Sequence, residues 1–318
     1  MPSMIRNVAL VLALLAAASC SSPSDASAPG SGSASVELTD QSYLTGDHWN
    51  DGQAEIAFYD VERTVDQAGQ PSDQQFVMGT YLVKHDFDPQ DMSKATDSDG
   101  GVPAFKYAQF FEFESGSYQY KRSHVTNARQ RNLHPFKHAL TSFDWCSNLY
   151  REQAFHPDGT VRWLKRSDDY GNAKETYDYR APAYPAAQVP LLARGLSFSE
   201  AQPKRSFSLL HSGGTYTSAE AELLGVESVQ TPAGTTRAEK IAVRYDAPVP
   251  TPLAGGPSDT LETYWRGADS PYRPLLKVVA GDQTAGDARY QMALIEKVRS
   301  PYWKKNVYDQ LDRVETRP

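Results

Sequence analysis

Residues 105–114 read FKYAQFFEFE, and after Ser115-Gly116 the chain continues as SYQYKRSHV at 117–125. Phe105, Tyr107, Phe111 and Phe113 recur at odd positions, which places them on one face of an extended strand. Two aromatic-rich runs joined by so short a turn are typical of a β-hairpin. This stretch therefore predicts antiparallel pairing at the centre of the fold.

Runs with the same alternation continue on both sides of this hairpin. In AEIAFYDVERTV (54–65) the apolar set starts at Ile56 and Phe58 and then shifts to Tyr59 and Val61, which predicts a bulge or a strong twist. The segment 288–299 fits both a strand and a helix, and the strand is narrowly favoured. We predict an all-β protein, a large antiparallel curved sheet or barrel with one or two short helices. The best helical candidate is VPLLARGLSF (189–198).

The N-terminus is typical of an exported protein. An apolar run from Val8 to Ala18 follows Arg6, which predicts a signal peptide over 1–19. Ala17 to Cys20 resembles the lipobox of bacterial lipoproteins, so Cys20 is the expected lipid anchor, with simple secretion as the alternative. Residues 21–35 lack large apolar side chains and predict a flexible linker. By the same resemblance, the periplasmic face of the outer membrane is the expected location.

Composition limits the function classes. Acids outnumber cations 39 to 32, which makes the chain a poor electrostatic match for nucleic acid. With Cys20 lipidated, Cys146 has no partner for an intramolecular disulfide. No P-loop, dinucleotide-binding or serine hydrolase signature is present, and we expect no cofactor and no metal.

The second half of the chain resembles a family of exported bacterial proteins of unknown function. The resemblance rests on the order of PLLARGLSF, then LLGVESVQTPAGTTRAEKIAVRY, then TYWRGADSPYRPLLKVV, and it covers most of 48–304. It implies a curved sheet or half-barrel similar in outline to periplasmic lipoprotein carriers, and it implies no catalytic residues. We therefore expect a single β domain over 36–305, followed by a tail at 306–318.

Cys146, in TSFDWCS (141–147), has three interpretations. His124, His134 and His138 could assemble a nucleophile or metal site around it, but the spacings of zinc sites are absent. Alternation along a strand instead favours a cysteine packed in the core. The acidic loop at 86–101 lacks the spacing of a calcium loop, and we expect it to be solvated.

The aromatic series could fill a core or line an apolar cavity. The first functional hypothesis is a non-enzymatic lipoprotein that binds an apolar ligand, such as an acyl chain or a lipidated partner. A protein–protein interaction module in envelope assembly is the alternative, and a hydrolase that uses Cys146 is a third hypothesis. The candidate ligand-binding residues are Phe105, Tyr107, Phe111, Phe113, Tyr118, Tyr120 and Trp145.

Overall fold

The computed structural model describes residues 37–67, 70–96, 100–253, 260–281, 289–307 and 309. The predicted signal peptide, Cys20 and the linker therefore lie outside the described residues, as does most of the predicted tail. Asp97 and Asp99 of the acidic loop lie outside them too.

The alternating runs form strands of 2 to 19 residues, and the described residues hold 16 of them. They are β1 (Ala54–Gln67), β2 (Gln70–Asp88), β3 (Ser93–Lys94), β4 (Val102–Ser115), β5 (Tyr118–Arg129), β6 (Pro135–Phe143), β7 (Asn148–Phe155), β8 (Thr160–Ser167), β9 (Ala173–Asp178), β10 (Ala183–Tyr184), β11 (Lys204–Leu210), β12 (Tyr216–Thr231), β13 (Gly234–Tyr245), β14 (Leu261–Gly267), β15 (Leu275–Ala280) and β16 (Tyr290–Ser300). The α-helices are α1 (Gln41–Leu44) and α2 (Val189–Gly195), and 3-10 turns lie at Asp47–Asn50 and Ala186–Gln188.

All the strands belong to one curved sheet whose order is β10-β11-β12-β13-β14-β15-β16-β1-β2-β4-β5-β6-β7-β8-β9, with β3 added beside β2. The pairings are antiparallel except for β10 with β11. The first and last long strands, β1 and β16, pair at the middle of this order, so both halves of the sequence share one sheet. The predicted all-β class is confirmed.

Several local predictions are also confirmed. The register of β1 against β16 shifts between Phe58 and Tyr59, where the apolar alternation slips. The hairpin of β4 and β5 turns at Gly116, whose φ of 63° is accessible to glycine without a Cβ clash. The segment at 290–300 is a strand, and the helix at 189–198 is present over Val189–Gly195.

Alternation failed at one place, the segment around Cys146. We expected Cys146 to lie within a strand, but Asp144 to Ser147 form the turn between β6 and β7. The Asp144 carboxylate accepts the backbone N–H groups of Cys146 at 2.7 Å and Ser147 at 3.1 Å. An aspartate that bonds its own backbone in this way stabilises a turn, and that preference overrides alternation here.

One large apolar core lies against the inner face of the sheet, the face that carries Phe105 and Phe111. Helix α2 packs inside this core, and all seven of its residues are buried. Trp49, from the N-terminal segment, packs edge-on against Phe105 at 4.9 Å between ring centroids. Apart from Arg194, whose guanidinium pairs with the Glu55 carboxylate, this helix is apolar all round and needs such a buried site.

Candidate functional site

The pairing register shows which side chains of the front strands continue the inner face. Phe111 lies opposite Arg122, and Phe113 lies opposite Tyr120. Directly opposed residues of antiparallel strands share a face, so the face extends from β5 across β6 and β7 to β8. We call this surface the inner wall. Its residues are Tyr120, Arg122, His124, His138, Leu140, Ser142, Leu149, Arg151, Gln153, Trp163 and Lys165.

The two halves of the inner face are covered differently. The inner-face side chains of β12 to β16 and β1 are buried in the core. That core also contains helix α2, the N-terminal segment and the loop residues Val249 and Leu253. On the inner wall, in contrast, Arg122, Leu140, Leu149 and Arg151 remain partly exposed. A sheet face with apolar side chains that no element covers is a candidate binding surface.

The predicted aromatic series divides into three groups. Phe105, Tyr107, Phe111 and Phe113 are buried in the core, where the rings of Phe111 and Phe113 lie 6.0 Å apart. Tyr120 is partly buried and stacks on Phe113 at 5.2 Å between centroids, so it lies where the core meets the inner wall. Tyr118 and Trp145 are exposed, the latter by 88%, and lie outside the wall.

Two of the three predicted histidines meet on the inner wall. The rings of His124 and His138 stack at 5.6 Å, and the His124 ring also stacks on Phe111 at 6.2 Å. Desolvation lowers the pKa of His138 to about 4. Desolvation also lowers the pKa of His124, with further lowering from the charges of His138, Arg122 and Arg151. Both imidazoles are therefore neutral at pH 7. His134 lies elsewhere, near Tyr184.

Cations without carboxylate partners extend along the same surface. The Arg63 guanidinium lies 4.2 Å from the centre of the Phe113 ring, and that of Arg122 lies 4.9 Å from the same ring. Arg122 also donates from Nε to the Ser142 hydroxyl at 3.2 Å. Aromatic faces stabilise such charges without neutralising them. The surface therefore combines apolar contacts with net positive charge.

Cys146 is exposed, which corrects the prediction that it packs in the core. It lies in the turn after β6, whereas His124 and His138 lie within β5 and β6. The structure therefore places Cys146 apart from the stacked histidines. Within the described ranges, no group of three or more His, Cys, Asp or Glu side chains is arranged to hold a metal ion.

Exposed aromatic side chains surround the tips of three neighbouring hairpins. The turns between β4 and β5, β6 and β7, and β8 and β9 lie at the same end of the sheet, because successive strands of this antiparallel meander run in opposite directions and every even-to-odd turn falls at that end. We call these side chains the aromatic rim: Tyr118, Phe143, Trp145 and Tyr170. The rim adjoins the inner wall at Tyr120, the inner-face neighbour of Phe113.

Sequence reasoning missed the most informative residues of the wall. The strands that the alternation correctly identifies contain Arg122, Leu140, Leu149 and Arg151. The period of two also places Leu149 and Arg151, both on β7, on one face. No sequence pattern indicated that the described elements would leave this face uncovered.

No protein-family model and no curated protein matches this sequence. Among solved structures, the chain is similar to a β-barrel-like protein of domain of unknown function DUF1849 from Brucella abortus, with 8% identity and a TM-score of 0.43 over 77% of this chain and 97% of that one. It is also similar to an exported protein with a YmcC-like fold from Bacteroides fragilis, with 9% identity and a TM-score of 0.27 over 77% and 95% of the two chains.

None of the helices in the described part of the chain could span a bilayer, since α1 has four residues and α2 has seven.

Proposed function

We propose that this protein is a non-enzymatic, membrane-anchored lipoprotein of the periplasm that binds an apolar ligand on the inner wall. The observation that supports the proposal is the uneven cover of the inner face, which leaves Leu140 and Leu149 partly exposed on the wall. An acyl chain, or the acyl group of a lipidated partner, would cover these side chains and gain about 0.8 kcal/mol for each buried CH₂ group.

Native mass spectrometry of protein extracted gently from membranes tests ligand binding. We expect a bound lipid, or uptake of an added fatty acid at one molecule per chain. Leu140→Glu and Leu149→Glu should each reduce uptake, because a carboxylate on the wall is unfavourable beside an acyl chain. Val226→Glu, at a side chain 46% exposed on the β12–β13 hairpin, is the matched control and should leave uptake unchanged. A protein that neither carries nor takes up lipid would contradict the proposal.

The anchor rests on the sequence and has its own test. Metabolic labelling with palmitate should label the wild-type chain, and Cys20→Ser should abolish the label and release the protein from the membrane fraction. Ser21 follows the cysteine in place of the aspartate that signals inner-membrane retention in enteric bacteria, which favours the outer membrane. Labelled protein that fractionates with the inner membrane would contradict that location.

The aromatic rim supports a second candidate function, an interaction module in envelope assembly. Exposed Tyr, Phe and Trp side chains are enriched at protein interfaces, and Trp145 is 88% exposed. A photo-crosslinking residue at position 145 should capture one discrete partner in cells, whereas the same residue at position 226 should not. Absence of any crosslink at 145 would remove this candidate.

A further inference from the structure

Two arginines of the inner wall, Arg122 and Arg151, form no ion pair within the described part of the chain. The guanidinium of Arg122 bonds only the Ser142 hydroxyl and lies over the Phe113 and Tyr120 rings. Arg151 forms no ion pair with any described residue, and its Nε is buried without a hydrogen-bond partner. Burying a donor without a partner is unfavourable, and more so when the group is charged. Holding these two guanidinium groups on the wall is therefore unfavourable unless an anion binds to them.

The register brings the two arginines to the same part of the wall. Arg151 lies opposite Leu140, and Leu140 lies opposite His124. Arg122 is two residues from His124 on β5, and both arginines lower the pKa of His124 by their charge. Two cations that act on one imidazole also repel each other, and an oxyanion placed between them would relieve that repulsion.

Among the described residues, no carboxylate forms an ion pair with either arginine. Asp144 acts on Arg122 from the β6–β7 turn, but one of its oxygens already accepts the amides of Cys146 and Ser147. Glu175 on β9 lies opposite Trp163, on the exposed edge strand. Glu152, on the other face of β7, accepts a hydrogen bond from the Tyr150 hydroxyl. The histidines stay neutral at pH 7 and add no charge of either sign.

Apolar groups lie directly beside the charges. Leu140 is the cross-strand neighbour of Arg151, and Leu149 is the neighbour of Ser142, which Arg122 bonds. The Phe113 ring lies beneath Arg122. A hydrophilic anion would leave these apolar surfaces in water. An anionic amphiphile would instead bind the arginines through its head group and cover the apolar side chains with its chain.

We infer that the ligand of the inner wall is an acyl chain with an oxyanion head group, a carboxylate or a phosphate, which Arg122 and Arg151 bind while Leu140 and Leu149 contact the chain. This inference rests on the proposed function and specifies its ligand. Arginine suits the task because its planar donors match carboxylate and phosphate oxygens and its charge persists at every physiological pH.

The test measures, by native mass spectrometry, how tightly four probes bind to the full-length lipidated protein in amphipol. They are hexadecanoate, hexadecyl phosphate, hexadecanol and inorganic phosphate. The first two should bind at least about tenfold more tightly than hexadecanol, since one charge-assisted hydrogen bond contributes about 1.5 to 3 kcal/mol. Inorganic phosphate alone should bind weakly and should compete poorly with hexadecyl phosphate.

Variants assign the preference to the two arginines. Arg122→Gln and Arg151→Gln should each reduce the preference for hexadecanoate over hexadecanol by about tenfold, and Arg122→Lys should retain part of it. Arg162→Gln, at an exposed arginine on the other face of β8, is the matched control and should retain the full preference.

The outcomes separate this inference from the proposed function. Equal binding of hexadecanol and hexadecanoate would overturn the anionic head group while leaving the apolar site intact. Inorganic phosphate that binds as tightly as hexadecyl phosphate would overturn the acyl chain and indicate a site for a free anion. Failure of all three amphiphiles to bind would overturn both proposals. The wild-type comparison decides the head group even if a variant fails to fold.

Discussion

Arg194 and Glu55 form an ion pair in the interior of the protein. The guanidinium of Arg194, on helix α2, contacts the carboxylate of Glu55 on β1 at 2.7 Å and 3.1 Å, and both side chains are at most 5% exposed. Arg194 also donates to the carbonyl of Tyr272. The pair attaches the helix to the inner face at a point where neither charge could be solvated.

Removing one member of this pair should be far more damaging than removing both. Arg194→Met leaves the Glu55 carboxylate buried without a counter-ion, and we expect a loss of about 3 to 5 kcal/mol in the free energy of unfolding. The double variant Glu55→Met with Arg194→Met should recover most of that loss. Urea unfolding measures both values. Arg237→Ala, which breaks an exposed pair with Asp269, is the control and should cost about 1 kcal/mol or less. A single variant as stable as the control would contradict this account.

His138 couples folding to pH on the inner wall. Desolvation lowers its pKa from 6.5 to about 4, so the unfolded chain binds more protons than the folded one between these values. The contribution of His138 to stability is therefore complete above pH 6.5 and is lost as the pH falls towards 4. His138→Leu should reduce the difference in unfolding free energy between pH 7 and pH 5, measured by urea titration. His156→Leu, at a histidine in the exposed β7–β8 turn, is the comparison, and an equal effect of both variants would contradict the assignment.

Helix α2 depends on a glycine for its position, not for its helicity. A Cβ at Gly195 would lie 2.7 Å from Cδ1 of Leu133, which is fully buried, and 3.4 Å from Leu44. The close approach lets the end of the helix contact the β5–β6 turn. Arg266 then donates from Nη1 to the carbonyls of Ala193, Arg194 and Leu196, which have no partners within the helix.

Gly195→Ala should destabilise the protein even though alanine favours helix. We expect a loss of about 1 to 3 kcal/mol, because overpacking forces the buried Leu133 or the helix to move. Thermal unfolding followed by circular dichroism measures the loss. Gly79→Ala is the matched control, because its Cβ would lie 3.4 Å from Phe58, an ordinary contact distance. Similar losses for both variants would show that the close packing at Gly195 is not the cause.

At the scale of the elements, local sequence determined much of what was predicted. The bulge at Phe58 and Tyr59 and the turn at Gly116 depend on neighbouring residues alone, and both are confirmed. The turn at Asp144 was missed because its stabilising bonds compete with an alternating pattern that continues on both sides. The exposure of Cys146 follows from that turn, which is why a strand-based argument predicted the wrong environment.

At the scale of the whole sheet, residues from its two edges contact each other. The edge strands β9 and β10 follow each other along the chain, although they lie at opposite ends of the strand order. Tyr216, on β12, donates from its hydroxyl to the carbonyl of Asp178 at 2.9 Å and accepts the N–H of Arg180 at 3.1 Å. Side chains from both edges, among them Val161 and Leu210, share a small apolar cluster.

Tyr216→Phe should loosen the contact between the edges without unfolding the sheet. The variant loses both hydrogen bonds, and we expect a cost of about 1 kcal/mol. Hydrogen exchange should become faster at the amides of 179–184 and stay unchanged in β1 and β2 at the centre. Tyr170→Phe, at a tyrosine 69% exposed, is the control. Uniformly faster exchange across all strands would contradict a local role for Tyr216.

The sequence by itself determined the strands, most of their turns, the short helix at 189–195 and the aromatic face of β4. These features depend on alternation, glycine conformation and apolar spacing, which act over a few residues. Only the tertiary structure decided which part of the inner face stays uncovered and which side chains meet there. The cover is supplied by helix α2 and by the loop at Val249 and Leu253, both at least 60 residues away from β5 in the chain. Arg122, His124 and Arg151 lie close together because of the pairing register of three strands, and no local sequence pattern predicts that register.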